Sequence, residues 1–463
     1  MLSAFSAGRD TGAGADANSG EETGMELGGS VGDWIGRRQR MRGYSVTRTP
    51  LSEMDGWYFR PDDGDLVHRS GGFFEVQGIE VSIEGRPSWT QPIIRQDEIG
   101  ILGILTTEFD GVPHFLLQAK MEPGNVGPLQ VSPTVQATRS NYTRVHRGAS
   151  VPYLEYFLEP EEGRVVFDAL QSEQGSWFWG KRNRNVVVST ANDVPVKDGF
   201  RWFSLDEMAE AIRVDNLINM DTRTALSGLA RLPGAEHHPR HPTSHVLSRF
   251  TAAKAGRRFT RRRLPLRSVR DWTVGGDRIA RADGRFFEII GVAVEAGDRE
   301  VARWSQPMLA PAGTGVVAFA ARRFGAELHV LMELRSDAGT FDLVELGPTV
   351  MCLPSNYETP SSDPVTGGPP PYLEAVLGAP PERRLVDVVH SEEGGRFYHA
   401  RNRYLVVEMD DGFAERPGGG HVWVSLGQLA AFVRYGNVVD VGARCLLTCL
   451  MLAGHHPVVE PGR

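Results

Sequence analysis

Cysteine is nearly absent from this chain. There are three in 463 residues, Cys352, Cys445 and Cys449, all in the C-terminal half. Thiols so placed supply neither a disulfide framework nor the paired ligands of a zinc site, and they read as small buried residues in a reducing compartment. No apolar run approaches the length of a membrane span, and the N-terminus lacks the apolar core of a secretory signal, so a soluble, cytoplasmic protein is expected with no membrane partner. Cations are not in excess: a net charge of −8 argues against nucleic acid as a partner, because nothing is left over to neutralise phosphates. Lysine is also scarce, occurring only at 120, 181, 197 and 254. Neither a dinucleotide-binding glycine loop, a phosphate-binding P-loop nor a nucleophile-elbow motif is present.

What the chain has is a second copy of itself. Residues from about Pro50 to Pro239 recur from about Pro265 to Pro457, with Trp57 answered by Trp272, Phe73-Phe74-Glu75 by Phe286-Phe287-Glu288, and Trp89-x-Gln91-Pro92 by Trp304-x-Gln306-Pro307. Ser140-Asn141-Tyr142 matches Ser355-Asn356-Tyr357, Ser172-Glu173-x-Gly175 matches Ser391-Glu392-x-Gly394, and Arg182-Asn183-Arg184 matches Arg401-Asn402-Arg403. The unit is far longer than a solenoid repeat, so a whole domain has been duplicated and fused. Residues 1–43, rich in Gly, Ser and acidic residues, are expected to be a disordered tail. The copies are placed at 44–234 and 261–463, with a linker over 235–260. That linker carries His237, His238, His241 and His245, but His237-His238-Pro239 recurs as His455-His456-Pro457 and no further ligand type completes a site, so no metal is expected.

Each copy reads as mostly β with helices towards its end. Apolar runs over 101–105 and 114–118 joined by Asp110-Gly111 predict a hairpin, echoed by 316–320 and 329–332. Asn185-Val186-Val187-Val188 and Tyr404-Leu405-Val406-Val407 predict core strands. Ser204-x-x-Glu207 and Ser425-x-x-Gln428 predict capping boxes opening helices, and a further helix is expected around 221–229. The fold class is α+β, a mixed sheet flanked by helices, twice over.

Three long polar stretches remain, over 118–125, 132–146 and 171–185. With Trp89-Thr90-Gln91-Pro92-Ile93-Ile94 and Asp215-Asn216-Leu217-Ile218-Asn219-Met220-Asp221, they resemble the sugar-nucleotide 2,3-dehydratases of antibiotic deoxysugar pathways. The resemblance covers nearly everything after the N-terminal tail. It implies tandem Nudix-like domains, a homodimer, and a dTDP-4-keto-6-deoxy-glucose substrate. It also implies loss of the carbon 2 hydroxyl to leave a labile 3,4-diketo sugar for a downstream 3-ketoreductase, with no cofactor. Both copies lack the glutamate-rich Nudix hydrolase box, which removes the ligand set for Mg²⁺-dependent pyrophosphate cleavage. Another isomerase or epimerase of a keto sugar nucleotide, and a non-catalytic sugar-nucleotide binder, remain as alternatives.

Dehydration beside a ketone needs a base for the carbon 3 proton, an acid for the departing hydroxyl and donors for the enolate oxygen. The diphosphate calls for cationic forks. Lys120, Arg144, His146 and Lys181 occur only in the first copy, against Arg335, Thr359, Ser361 and Ala400, so the turnover site is expected there and the second copy is expected to be degenerate. The catalytic candidates are Lys120 and His146 as base and acid in either order, with Glu122 and Tyr142. Substrate-contact candidates are Asn125, Gln130, Thr134, Asn141 and Glu173, with Arg144, Lys181, Arg182 and Arg184 towards the diphosphate. Each has a structural reading too: Lys120 as a surface amine, His146 as a satisfied loop histidine, Tyr142 as packing, Glu173 with Arg182 as an ion pair.

Overall fold

A computed structural model of the chain describes residues 30–454 apart from 42, 86, 128, 139–150, 162, 192–193, 231–238, 297–301 and 359–367. Each repeat carries a seven-stranded and a five-stranded sheet. In the first repeat, Gly100–Phe109 and Val112–Met121 form the expected antiparallel hairpin, turning at Asp110 and Gly111, both at positive φ, as an Asp-Gly turn requires. The valine-rich strand Arg182–Ser189 runs parallel to Gly100–Phe109 and antiparallel to Val165–Ser172, so the sheet is mixed. The second repeat reproduces this with Gly315–Phe324, Glu327–Arg335, Arg401–Glu408 and Arg384–Ser391. Both capping boxes form: the hydroxyls of Ser204 and Ser425 accept from the amides of Glu207 and Gln428, whose side chains reach back. The later helices, Met220–Leu226 and Val441–Leu452, are buried against each other at the junction of the repeats.

The boundaries differ from those expected. Within the supposed tail, Val31–Met41 is a helix whose Trp34 is 1% exposed and meets Phe203 edge-on at 5.4 Å. Within the supposed linker, Thr243–Gly256 is a helix that buries Val246 and Phe250. A single large side chain per turn is enough to anchor a short helix, and a composition dominated by Gly and Ser upstream masked it. Each helix leads into a strand, and each strand crosses over. Tyr44–Thr49 pairs with Phe287–Ala296 of the second repeat, from Tyr44 opposite Ala296 to Thr49 opposite Gly291. Phe259–Leu264 pairs with Glu75–Ile83 of the first repeat. Arg263 binds Asp63 and the fully buried Asp65 at 2.8 and 2.5 Å, and Arg48 binds Glu288 at 2.9 Å, locking each exchanged strand to its host.

Two domains in sequence are therefore not two domains in space, because each completes its smaller sheet with a strand from the other. Fragments cut at residue 242 are expected to be unfolded or insoluble alone and to regain a single cooperative melt only when co-expressed. Two independently melting halves in calorimetry would contradict the exchange.

Candidate active site

The strand Val112–Met121 delivers Lys120 to its end, and Glu122 follows. Lys120 Nζ donates to the carbonyl of Gln136 at 3.3 Å and lies 3.6 Å from Glu122 Oε1. Gln136 Nε2 donates to that same carboxylate oxygen at 2.7 Å, while Asn219 Nδ2 donates to Gln136 Oε1 at 3.4 Å. Asn219 also caps the helix Met220–Leu226, so the helix that carries Asp221 and the strand that carries Lys120 are tied through one glutamine.

The second repeat holds the other side. The amide of Gly124 donates to the carbonyl of Gly394 at 2.8 Å, and the amide of His399 donates to the carbonyl of Gly124 at 2.8 Å. The pattern is reciprocal: Gly339 donates to Gly175, and Gly180 to Gly339. A Cβ on Gly124 would run into the carbonyl oxygen of Phe397, and one on Gly339 into that of Phe178, which is why both positions are glycine. This contact brings Glu393 and Arg396 beside the Lys120–Glu122 end. Gly395 lies against both carboxylates, with Glu393 Oε1 at its Cα face and Glu122 Oε1 3.6 Å from where a Cβ would sit.

Four carboxyl groups, Glu122, Glu173, Asp221 and Glu393, thus converge with Lys120, Lys181, Arg396 and Arg444 near them. Burial, reinforced by Glu173, Glu122 and Glu393, pushes the Asp221 carboxyl well above its ordinary range. Burial also raises Glu173, against the pull of Arg444 and the 2.8 Å hydrogen bond from Asn183 Nδ2. Burial and the Glu122 charge push Glu393 up to about 7. Among the described residues, one oxygen each of Glu122, Glu173, Asp221 and Glu393 is buried without a hydrogen-bond partner. Raised carboxyls hold protons near neutrality, the condition for general-acid work. No group of three or more His, Cys, Asp or Glu able to hold a metal is found among the described residues.

Several expected site residues have other work. Thr134 is 1% exposed, donates to the carbonyl of Leu116 and accepts from the amide of Leu105; Thr349 does the same in the second repeat, so both brace a sheet. Arg184 forms a fork with Asp168 at 2.9 and 2.6 Å and is matched by Arg403 with Asp387 in the second repeat. Lys181 is buried, donates to the carbonyl of Glu98 and is pushed down to about 8 by burial. Gln130 is fully buried and donates to Ser391 Oγ at 2.8 Å, joining the repeats rather than lining a pocket. Glu173 takes Asn183 as its partner rather than Arg182, whose guanidinium lies 3.8 Å from the ring of Phe341 in the second repeat. Asn125 is buried against Gly394. Asn141, Tyr142, Arg144 and His146 lie outside the described residues. Asp221, Glu393 and Arg396 were not among the candidates.

The pseudo-equivalent place in the second repeat opens into a cavity of about 240 Å³, lined by Arg335, Asp337, Asn356, Glu392 and, from the first repeat, Gln174 and Trp177. Arg281 and Arg401 line it as well, and Arg335, which stands where the first repeat has Lys120, forks onto Asp337 at 2.8 Å and reaches Glu333 at 3.2 Å. Asp221 has no counterpart there, since Gly442 takes its place and a Cβ on it would lie 3.0 Å from Val317 Cγ1.

A carboxyl raised on folding contributes stability that is complete below its unfolded value and is lost as pH rises through the folded one. Asp221 and Glu393 therefore contribute a fall in melting temperature as pH rises from the ordinary carboxylate range through about 7, against the rise contributed by His390 and His421, which burial lowers. Asp221→Asn should flatten part of that fall in a pH series of thermal melts; an unchanged slope would mean Asp221 does not carry the extra proton.

A family model described as NDP-hexose 2,3-dehydratase matches residues 29–229 and again 243–450. The chain is 53% identical over 436 residues to a protein of Streptomyces violaceoruber named dTDP-4-dehydro-6-deoxy-alpha-D-glucopyranose 2,3-dehydratase, covering 91% of this chain and 97% of that one. It is 45% identical over 434 residues to a protein of the same name from Amycolatopsis orientalis, covering 92% and 90%.

Proposed function

Because this chain belongs to the NDP-hexose 2,3-dehydratase family, we propose that it removes water from dTDP-4-keto-6-deoxy-glucose, taking the hydroxyl from carbon 2. The observation that carries this reading is the Lys120–Glu122 pair, 3.6 Å apart and set among buried carboxyls at the repeat junction. A base must take the proton from the carbon next to the ketone, and Lys120 or His146 is assigned that role in this reading. The electron pair rests on the carbon 4 oxygen as an enolate. It then returns, the carbon 2–oxygen bond breaks, and water leaves. The remaining enol at carbon 3 becomes a ketone by moving its proton to carbon 2. Carbon 3 is oxidised and carbon 2 reduced within one molecule, so the balance needs no outside oxidant.

Asn125, Asn141, Tyr142 and Glu173 are assigned to sugar contacts in this reading, and Arg144 and Arg182 to the diphosphate. The family resemblance also underlies a Nudix-like ancestry, a homodimer, cytoplasmic work in antibiotic deoxysugar synthesis, and a 3-ketoreductase that receives the labile diketone.

The test is incubation of metal-free protein with the keto sugar and a trapping diamine, followed by mass spectrometry. Loss of one water without added nicotinamide or Mg²⁺ is expected. Lys120→Ala should lower kcat by roughly 10²–10⁴-fold with dTDP affinity retained by calorimetry; a variant at wild-type rate would remove Lys120 from the chemistry.

A further inference from the structure

Glu393 belongs to the second repeat, yet its charge is felt at the site of the first. Lys120, Glu122, Glu173 and Arg396 all act on it, and Gly395 brings it against Glu122. Its Oε2 is buried with no partner among the described residues, and so is Oε2 of Glu173. The internal duplication supplies the comparison that explains this. Glu393 stands where the first repeat has Gln174, and Glu392 where it has Glu173. In the second-repeat cavity, Gln174 crosses over and its amide donates to Glu392 Oε2 at 2.7 Å. In the first-repeat site the crossing residue is a carboxyl and the residue opposite, Glu173, is a carboxyl as well. Two carboxylates cannot take up that arrangement with both charged; one must keep a proton. Gln174 lines the second-repeat cavity, and Glu393 holds the pseudo-symmetric position beside Glu122 in the first-repeat site.

We infer that Glu393, contributed by the second repeat, is the catalytic acid of the first-repeat site and gives its proton to the hydroxyl leaving carbon 2. The inference rests on the dehydratase reading above. The carbon 3 proton has by then gone to the base, leaving the enolate. As the carbon 4 ketone re-forms, the carbon 2–carbon 3 double bond forms and the carbon 2–oxygen bond breaks. The departing oxygen takes the Glu393 proton and leaves as water. Glu393 is left charged, with Lys120 and Arg396 near it, and recovers its proton from solvent before the next turnover. Burial, with Glu122 and Glu173, holds it in the acid form; Arg396 and Lys120 oppose them.

Glu393→Gln installs the side chain that the duplication itself carries at the equivalent position. In the full-length protein it is expected to keep dTDP affinity and to lose dehydration by roughly 10²–10⁴-fold. It should still exchange the carbon 3 hydrogen of the substrate for deuterium in heavy water, because only departure of the hydroxyl is blocked. Glu393→Asp, which retains an acid, should dehydrate at least about tenfold faster than the glutamine variant. Wild-type dehydration should decline as pH rises through about 7, and the residual rate of Glu393→Gln should lack that decline. Dehydration by Glu393→Gln at the wild-type rate would overturn the inference, as would loss of deuterium exchange together with dehydration. A wild-type protein that neither exchanges nor dehydrates would instead defeat the dehydratase reading itself, so the two failures are distinguishable.

Discussion

Two arginines, Arg223 and Arg444, hold the halves of this molecule together from the inside. Both are 0% exposed. Arg223 Nη2 donates to the carbonyl of Ser391 at 2.5 Å, and Arg444 Nη2 donates to the carbonyl of Ser172 at 2.6 Å. Each guanidinium starts from a late helix of its own repeat and ends on the last strand residue before the polar loop of the other. Arg444 adds Thr224 Oγ1 at 2.8 Å, and Arg223 lies 4.5 Å from the ring of Tyr404. A buried cation without partners costs several kcal/mol, comparable to the net stability of a domain, so these groups favour the docked arrangement of the repeats. The docking in turn fixes where Glu173 and Glu392 stand, one residue beyond the gripped carbonyls.

From that clasp the rest follows. The exchanged strands, the reciprocal glycine contacts and the two arginines all obey the same internal pseudo-twofold arrangement, so each polar site is roofed by the opposite repeat. A common frame then carries unequal charge. The first-repeat site has Lys120, Asp221 and the crossing Glu393; the second has an ion-paired Arg335, Gly442 and the crossing Gln174. Symmetry supplies the geometry, and both places hold raised carboxyls, Asp221 and Glu393 in the first and Glu345 and Asp440 in the second, while a few substitutions decide which cations and amides stand among them.

Much of the scaffold was legible in the amino-acid sequence, for local reasons. An Asp-Gly pair between apolar runs has one inexpensive backbone solution, and Ser-x-x-Glu or Ser-x-x-Gln satisfies helix-end amides wherever it occurs. The exchanged strands were not legible, because a six-residue strand pairs equally well with either copy of a duplicated edge, and only the path of the preceding helix selects one. Thr134 and Arg184 were read as substrate contacts because polar residues in a dense motif look alike whether they brace a sheet or face a ligand. Glu393 was passed over for a sharper reason. Comparing the copies singled out residues peculiar to the first, on the premise that a site lies within one repeat; a residue peculiar to the second was the signal, and it pointed across the interface.

The sequence alone determined the duplication, the mixed-sheet class, the capped helices and the family, since these depend on periodicity, turn chemistry and long motifs that survive without knowledge of contacts. Only the tertiary structure decided that the repeats interlock and that Lys120 and Glu122 meet Asp221 and Glu393. The reason is physical. A carboxyl's proton affinity depends on what surrounds it within a few ångströms, and three of the four charged groups acting on Glu393 (Lys120, Glu122 and Glu173) lie more than two hundred residues away along the chain.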